Sequence, residues 1–254
     1  MKKRLGILVI VFLALLFIIP FLYTIIGSFW LGNKFQIKGY IDLFFDCFTF
    51  YPMFWNTVLY AVSVTFVQFL ISVPCAFGLT YSKFKGKKIL YIFYIILMMM
   101  PLQVTILPNY IGLRDLGLIN TRLGIIIPML FSPFSAIVMY QYMKGIDYLS
   151  IEAARLETSS VIQIILTIVV PQLRVCILAV VLFVFSECWN MVEQPLLFLK
   201  DDDLRTLTVF ISQTDVYSKE VLFSASVIFI IPILLVYLFF NEHLEQGLTL
   251  KIRS

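Results

Sequence analysis

Few side chains in this sequence are equipped for chemistry, and they fall into small groups. Glu187, Asn190, Glu193 and Gln194 lie in "SECWNMVEQP", inside an otherwise apolar run. Glu187, Asn190 and Gln194 are offset by three and then four residues, so on a helix they share one face. Carboxyl and amide groups so placed could line a hydrophilic solute path, carry a proton, or bond to a neighbouring chain. An acidic side chain within a membrane costs about 3 kcal/mol and therefore faces protein or water. A second group is Glu152, Arg155 and Glu157, set among the small residues Ala153, Ala154, Thr158, Ser159 and Ser160. Small residues let another surface come close, and Glu152 offers it a charge. That is docking chemistry, not catalysis.

The other groups exclude more than they suggest. Asp201 to Asp203 lack the ligand pattern of a calcium loop and read as a solvated turn. His243 is the single histidine, so neither a histidine-centred triad nor a multi-histidine metal site is available. Cys47, Cys75, Cys176 and Cys188 show no C-x-x-C spacing, and three of them sit in apolar runs, where cysteine packs as a small hydrophobe. No Gly-x-x-x-x-Gly-Lys-Ser/Thr occurs, so the chain carries no sign of an ATP-hydrolysing loop. The expectation is a non-enzyme without a cofactor.

The elements that must hold these groups are membrane helices. The chain has 254 residues, of which 61% are hydrophobic and 13% charged, with mean hydropathy +0.98. An ordinary globular domain carries about 25% charged residues. Apolar runs at about 5–29, 56–80, 89–109, 123–143, 173–199 and 221–240 each approach the roughly 20 residues that cross a bilayer. The first follows Lys2, Lys3 and Arg4; it is longer than the usual 7–15 residues or so of a signal peptide core and reads as a retained span. Between the first two runs, a mixed segment suggests an outer loop with a short interfacial helix near Gly39 to Phe45.

Six spans place both termini on one side, and basic residues choose it. Lys2, Lys3, Arg4, Lys83, Lys85, Lys87, Lys88, Lys144, Arg155, Arg174, Lys251 and Arg253 would share that side, outnumbering Lys34, Lys38, Arg114, Arg122, Lys200, Arg205 and Lys219 opposite. The positive-inside rule then makes both termini cytoplasmic, and the Glu152 segment with them. Lys83 to Lys88 reads as a topology anchor at anionic headgroups. The net charge of +4 is no nucleic-acid signature. No internal repeat suggests the paired halves of many secondary transporters.

Every one of the six runs contains a proline. Each gives up a backbone hydrogen bond and bends its helix. Membrane helices tolerate this where protein or a water-lined cavity satisfies the freed carbonyl. The prolines read equally as ordinary kinks or as a bundle of bent helices that rocks around a path.

In the polar segment, Ser150 reads as the cap of a helix through Glu152, Ala153 and Ala154. Thr158 to Ser160 is a break, and a second piece runs from Val161 to Val170 until Pro171 stops it. Two short helices meeting at a bend make a compact knob.

The stretch "EAARLETSSVIQIILTIVVPQL" resembles the EAA loop of ATP-binding-cassette importer permeases, whose pattern is E-A-A-x-x-D-G-A, a hydrophobic stretch, then L-P. Glu152, Ala153 and Ala154 match its opening and Pro171 its close. Glu157 stands where aspartate is usual, and Thr158 replaces the usual glycine, a departure that bears on the angle between the two helices. "FKGKKILYIFYIILMMMPLQVTILPNYIGLRDLGLINTRLGIIIP" is similar to the third-span region of the sugar-importer branch. "WNMVEQPLLFL", "LRTLTVFISQ" and "NEHLEQGLT" resemble its fifth span, last outer loop and carboxyl end.

The resemblance implies an all-α, polytopic, six-span permease of the type I importer fold, one transmembrane domain over 1–254, in a bacterial plasma membrane. It implies a maltose-transporter-like path for a sugar, oligosaccharide or polyol, working by alternating access. The implied partners are a second permease subunit, two copies of a cytoplasmic ATPase and an extracellular solute-binding protein, with no nucleic acid. The coupling residues it implies are Glu152, Ala153, Ala154, Glu157, Thr158 and Pro171, with Glu152 paired to a basic residue of the ATPase. Two other classes stay open: an ion-coupled secondary transporter using Glu187, and a non-transport membrane scaffold or sensor.

Overall fold

A chain crossing lipid must satisfy its own backbone, and this one does so with helices. The computed structural model describes residues 2–31, 34–158 and 160–252. Ser159, Arg253 and the side chains of Lys2, Lys3, Arg4, His243, Lys251 and the "NEHLEQGLT" tail lie outside the described residues.

Helix α1 spans Lys2–Phe29 and leads into a two-residue antiparallel pair, Trp30–Leu31 against Lys34–Phe35, with Trp30 opposite Phe35. Helix α2 (Lys38–Ile41) runs on as a π-turn to Asp46, the short outer helix that the sequence suggests. Then follow α3 (Phe50–Tyr81), α4 (Lys87–Met98), α5 (Leu102–Asp115), α6 (Arg122–Met129) and α7 (Pro133–Met143). The polar knob is α8 (Tyr148–Glu157) and α9 (Val161–Ile164), continued by a π-turn (Ile165–Val169) and α10 (Val170–Gln172). Last come α11 (Arg174–Trp189), α12 (Glu193–Phe198), a 3-10 turn (Asp202–Leu204), α13 (Leu207–Ser212) and α14 (Lys219–Ile252).

Among the described residues, four stretches are long and apolar enough to cross a membrane unbroken, and two bent pairs raise the number to six. The bent pairs revise the expected boundaries. The third run, 89–109, is α4 and α5 meeting at 100° across Met99 to Pro101. The run 173–199 is helical as a span only over α11; it stops at Trp189, and α12 is a separate short helix. The second span begins at Phe50 instead of Asn56.

Two expectations about the knob also change. Asp147, not Ser150, caps α8, its carboxylate accepting from the Leu149 N–H at 3.1 Å. The helical run from Val161 goes one residue past Pro171, to Gln172, so Pro171 lies in its last turn. The chain bends instead at Leu173, by 85° between the segment ending at Gln172 and α11.

The main core is made where α3, α7 and α11 pack together, with Val64, Phe77, Met139, Val180 and Trp189 buried. Helix α1 is exposed along the whole of its apolar stretch and leans on α14. Gly27 allows that contact, since a Cβ there would lie 2.7 Å from the Phe223 ring.

Beside three of the prolines, side chains from other elements bond to backbone carbonyls. Met129 stands four residues before Pro133, and its carbonyl accepts from Gln68 Nε2 of α3 at 2.5 Å. Gln68 Oε1 in turn accepts from Ser135 Oγ at 3.0 Å. Met191 stands four residues before Pro195, and its carbonyl accepts from the hydroxyls of Thr206 and Thr208. In α14, Pro232 withholds its bond from the Ile228 carbonyl, and the neighbouring Phe229 carbonyl accepts from Trp189 Nε1 at 3.1 Å. At the lysine cluster, Lys87 Nζ donates to the carbonyls of Thr80 (2.7 Å) and Ser82 (3.4 Å), finishing α3.

Gln68 is therefore a structural polar group. Gln68→Leu should strand the Met129 carbonyl and the Ser135 hydroxyl, at about 1–3 kcal/mol for each buried group. The thermal midpoint of the detergent-solubilised chain is expected to fall by several degrees, and an unchanged midpoint would sink this account.

Candidate functional site

The knob is fixed to the bundle by one stripe and offers another outward. Ile151 and Ala154, three residues apart on α8, are buried in the main core beside Tyr81, Met143, Ile164 and Val169. Tyr81 Oη donates to the Met143 carbonyl at 3.0 Å, and its ring stacks on Tyr148 at 6.2 Å. The α8 attachment thus joins the carboxyl-terminal ends of α3 and α7. The opposite stripe is Leu149, Glu152, Ala153 and Leu156, spaced as one helical face. All four are exposed, Leu149 at 70% and Leu156 at 91%. Two bare leucines thus flank a carboxylate on a helix outside the spans.

The angle of the knob is set at Thr158. Its φ of −143° and ψ of 141° are extended backbone that any residue adopts, so glycine is not needed there. Threonine adds two hydrogen bonds. Its Oγ1 accepts from the Ser160 N–H at 3.2 Å and donates to Gln163 Oε1 at 2.9 Å. Ser160 Oγ accepts from the Gln163 N–H at 3.3 Å and caps α9. Glu157, the last residue of α8, is exposed, and so is Pro171.

Glu187, Asn190 and Gln194 do not lie on one continuous helix, because α11 ends before Asn190. They converge all the same. All three line a cavity of about 360 Å³ together with Glu193, Leu102 and Met129. Leu102 follows the Pro101 break and Met129 ends α6, so three interruptions of the spans meet at one cleft. Glu187, Asn190 and Glu193 are exposed to it, and Gln194 is 8% exposed with no partner for its Oε1. Asn190 Nδ2 donates to the Ser186 carbonyl at 2.7 Å.

A polar clasp that no sequence motif marks holds the Asp201 turn. Asn56 Nδ2 donates to the Asp203 carbonyl (2.6 Å), and Tyr60 Oη to the Leu204 carbonyl (2.8 Å). Asn120, at φ 61°, accepts on Oδ1 from the Lys200 and Asp201 N–H groups (2.8 and 3.0 Å) and donates to the Asp201 carboxylate (2.8 Å). Asp202 pairs with Arg205. The acidic turn is thus held from α3 and from the α5–α6 loop. The only sequence signal was polar residues inside or beside apolar runs.

Residues 68–250 match the family described as "Binding-protein-dependent transport system inner membrane component". Over 93% of its length the chain is similar, at 27% identity, to the arabinooligosaccharides transport system permease protein AraQ of Bacillus subtilis, covering 90% of that protein. It is 27% identical to the lactose transport system permease protein LacG of Rhizobium radiobacter, over 92% of this chain and 90% of that one. Its fold is shared with a chain of a bacterial ABC transporter involved in import of the acidic polysaccharide alginate. That likeness has a TM-score of 0.83 and 21% identity, over 94% of this chain and 96% of the other.

The Thr158 joint gives a direct test. Thr158→Val keeps the extended backbone and removes both side-chain bonds. A hydrogen bond of about 1 kcal/mol corresponds to roughly fivefold faster exchange of the Ser160 amide. Exchange at the wild-type rate would mean that the hydroxyl does not hold the angle.

Proposed function

This chain belongs to the family of inner membrane components of binding-protein-dependent transport systems, and we propose that it is the permease subunit of an ATP-binding-cassette importer for a sugar or oligosaccharide. Membership supports a multi-pass inner-membrane transport protein and neither the ion-coupled carrier nor the non-transport sensor. The names of AraQ and LacG support a carbohydrate cargo. The chain acts as one transmembrane domain over 1–254, with both termini cytoplasmic. A second permease subunit completes the path, a solute-binding protein delivers cargo outside, and two copies of an ATPase hydrolyse ATP inside.

The observation that carries the coupling role is the bare face of α8 at Leu149, Glu152, Ala153 and Leu156. Glu152, Ala153 and Ala154 open the coupling element, Glu157 and Thr158 set its turn, and Pro171 lies in its second arm. A groove on the ATPase takes the leucines, and a basic residue there pairs with Glu152. Closure of the ATPases pushes α8, and Ile151 and Ala154 pass the push to the inner ends of α3 and α7. The cleft at Glu187, Asn190 and Gln194 is this chain's side of the solute path.

Glu152→Arg places like charges together in that groove. Breaking such a pair costs about 3–5 kcal/mol, more than a hundredfold in affinity. In cells expressing this chain with its gene neighbours, the wild type should co-purify an ATPase, and the variant should lose it or its transport-coupled hydrolysis. A variant that binds and couples as wild type would remove the coupling role from α8.

A further inference from the structure

The cleft at Glu187 has a neighbour, and the two share one chemistry. A second cavity, of about 430 Å³, is also lined by Asn190 and Val192, so the break after α11 separates the two spaces. Four hydroxyls line the second cavity, those of Thr24, Thr208, Ser212 and Ser226. Each donates its proton to a backbone carbonyl, of Pro20 (3.0 Å), Met191, Val209 (2.7 Å) and Leu222 (2.8 Å) respectively. A hydroxyl has one proton, and with it engaged by a carbonyl each of these oxygens faces a solute as an acceptor. The first cavity adds the carboxyl groups of Glu187 and Glu193. It also holds Gln194, 8% exposed, whose buried Oε1 has no hydrogen-bond partner. The side-chain donors left are amide protons of Asn190 and Gln194, and no lysine or arginine lines either space among the described residues.

A wall of acceptors without a cation discriminates by charge. A polyol answers it with hydroxyl protons, and an amino sugar with an ammonium group. A uronate or a sugar phosphate brings more acceptors and a negative charge towards two carboxyl groups, with no cation among the described residues lining the space to offset it. We propose that this chain's side of the path selects donor-rich, neutral or cationic sugars and rejects acidic ones. The inference rests on the importer reading above and narrows its substrate class.

The test uses the complex of this chain with its partner permease and ATPases, in nanodiscs and without the solute-binding protein, whose own selectivity would mask the path. Saturation-transfer NMR is recorded with maltotriose, xylotriose and arabinotriose as neutral probes, diglucosamine as the cation, and trigalacturonate as the acid. At least one neutral or cationic probe should bind, with trigalacturonate about tenfold weaker or more. Glu187→Gln and Glu193→Arg should each narrow that gap. The exposed Glu193 gives a variant that disturbs packing least. Trigalacturonate binding as well as the neutral probes, a gap that both variants leave unchanged, or no probe binding at all would overturn the proposal. A complex that assembles and hydrolyses ATP while failing here loses only the substrate class. Failure to recruit an ATPase at all would instead count against the importer reading.

Discussion

A backbone carbonyl inside lipid must find a donor, and the arrangement of this molecule follows from how its prolines withhold one. In water an interrupted helix is repaired by solvent. In a bilayer the repair must come from protein or from a wet cavity. Here Gln68 serves Met129, Thr206 and Thr208 serve Met191, and Trp189 serves Phe229. The bonds of Gln68 tie α3 to α6 and α7, that of Trp189 ties α11 to α14, and those of Thr206 and Thr208 hold the segment between α11 and α12 to the start of α13.

The cavities lie where those interruptions fall. One is bordered by the breaks at Pro101, Met129 and Asn190, and the other by the break at Asn190 together with Pro20 of α1 and Phe229 of α14. An unbroken helix has no free backbone and few polar side chains to offer a hydrophilic solute. A broken one provides both, and its neighbours must stand slightly apart to accommodate it. The polar path is in this sense a consequence of the bends.

The two ends of the bundle are held differently. At the Asp201 turn, Asn56, Tyr60 and Asn120 make directional bonds to backbone groups. At the knob, α8 is attached through the apolar contacts of Ile151 and Ala154, helped by Tyr81 stacking on Tyr148. Directional bonds fix a geometry, whereas an apolar contact can slide while staying buried.

The sequence by itself determined the membrane class, the number of apolar runs, the short outer helix and the place of the knob. These depend on composition, run length and local small-residue pattern, which are properties of the chain alone. It also singled out Glu152, Glu187, Asn190 and Gln194, because polar residues in apolar runs stand out. What it could not decide was how proline breaks would be resolved. The 100° turn at Met99–Pro101, the end of α11 at Trp189 and the 85° bend at Leu173 are settled by how the segments pack in three dimensions. Asp147 displaced Ser150 as cap because its carboxylate meets the Leu149 N–H in the folded turn. Glu187, Asn190 and Gln194 came together through a broken helix, not the continuous one that their spacing suggested. Donors for orphaned carbonyls come from residues tens of positions away, and only tertiary structure brings them there.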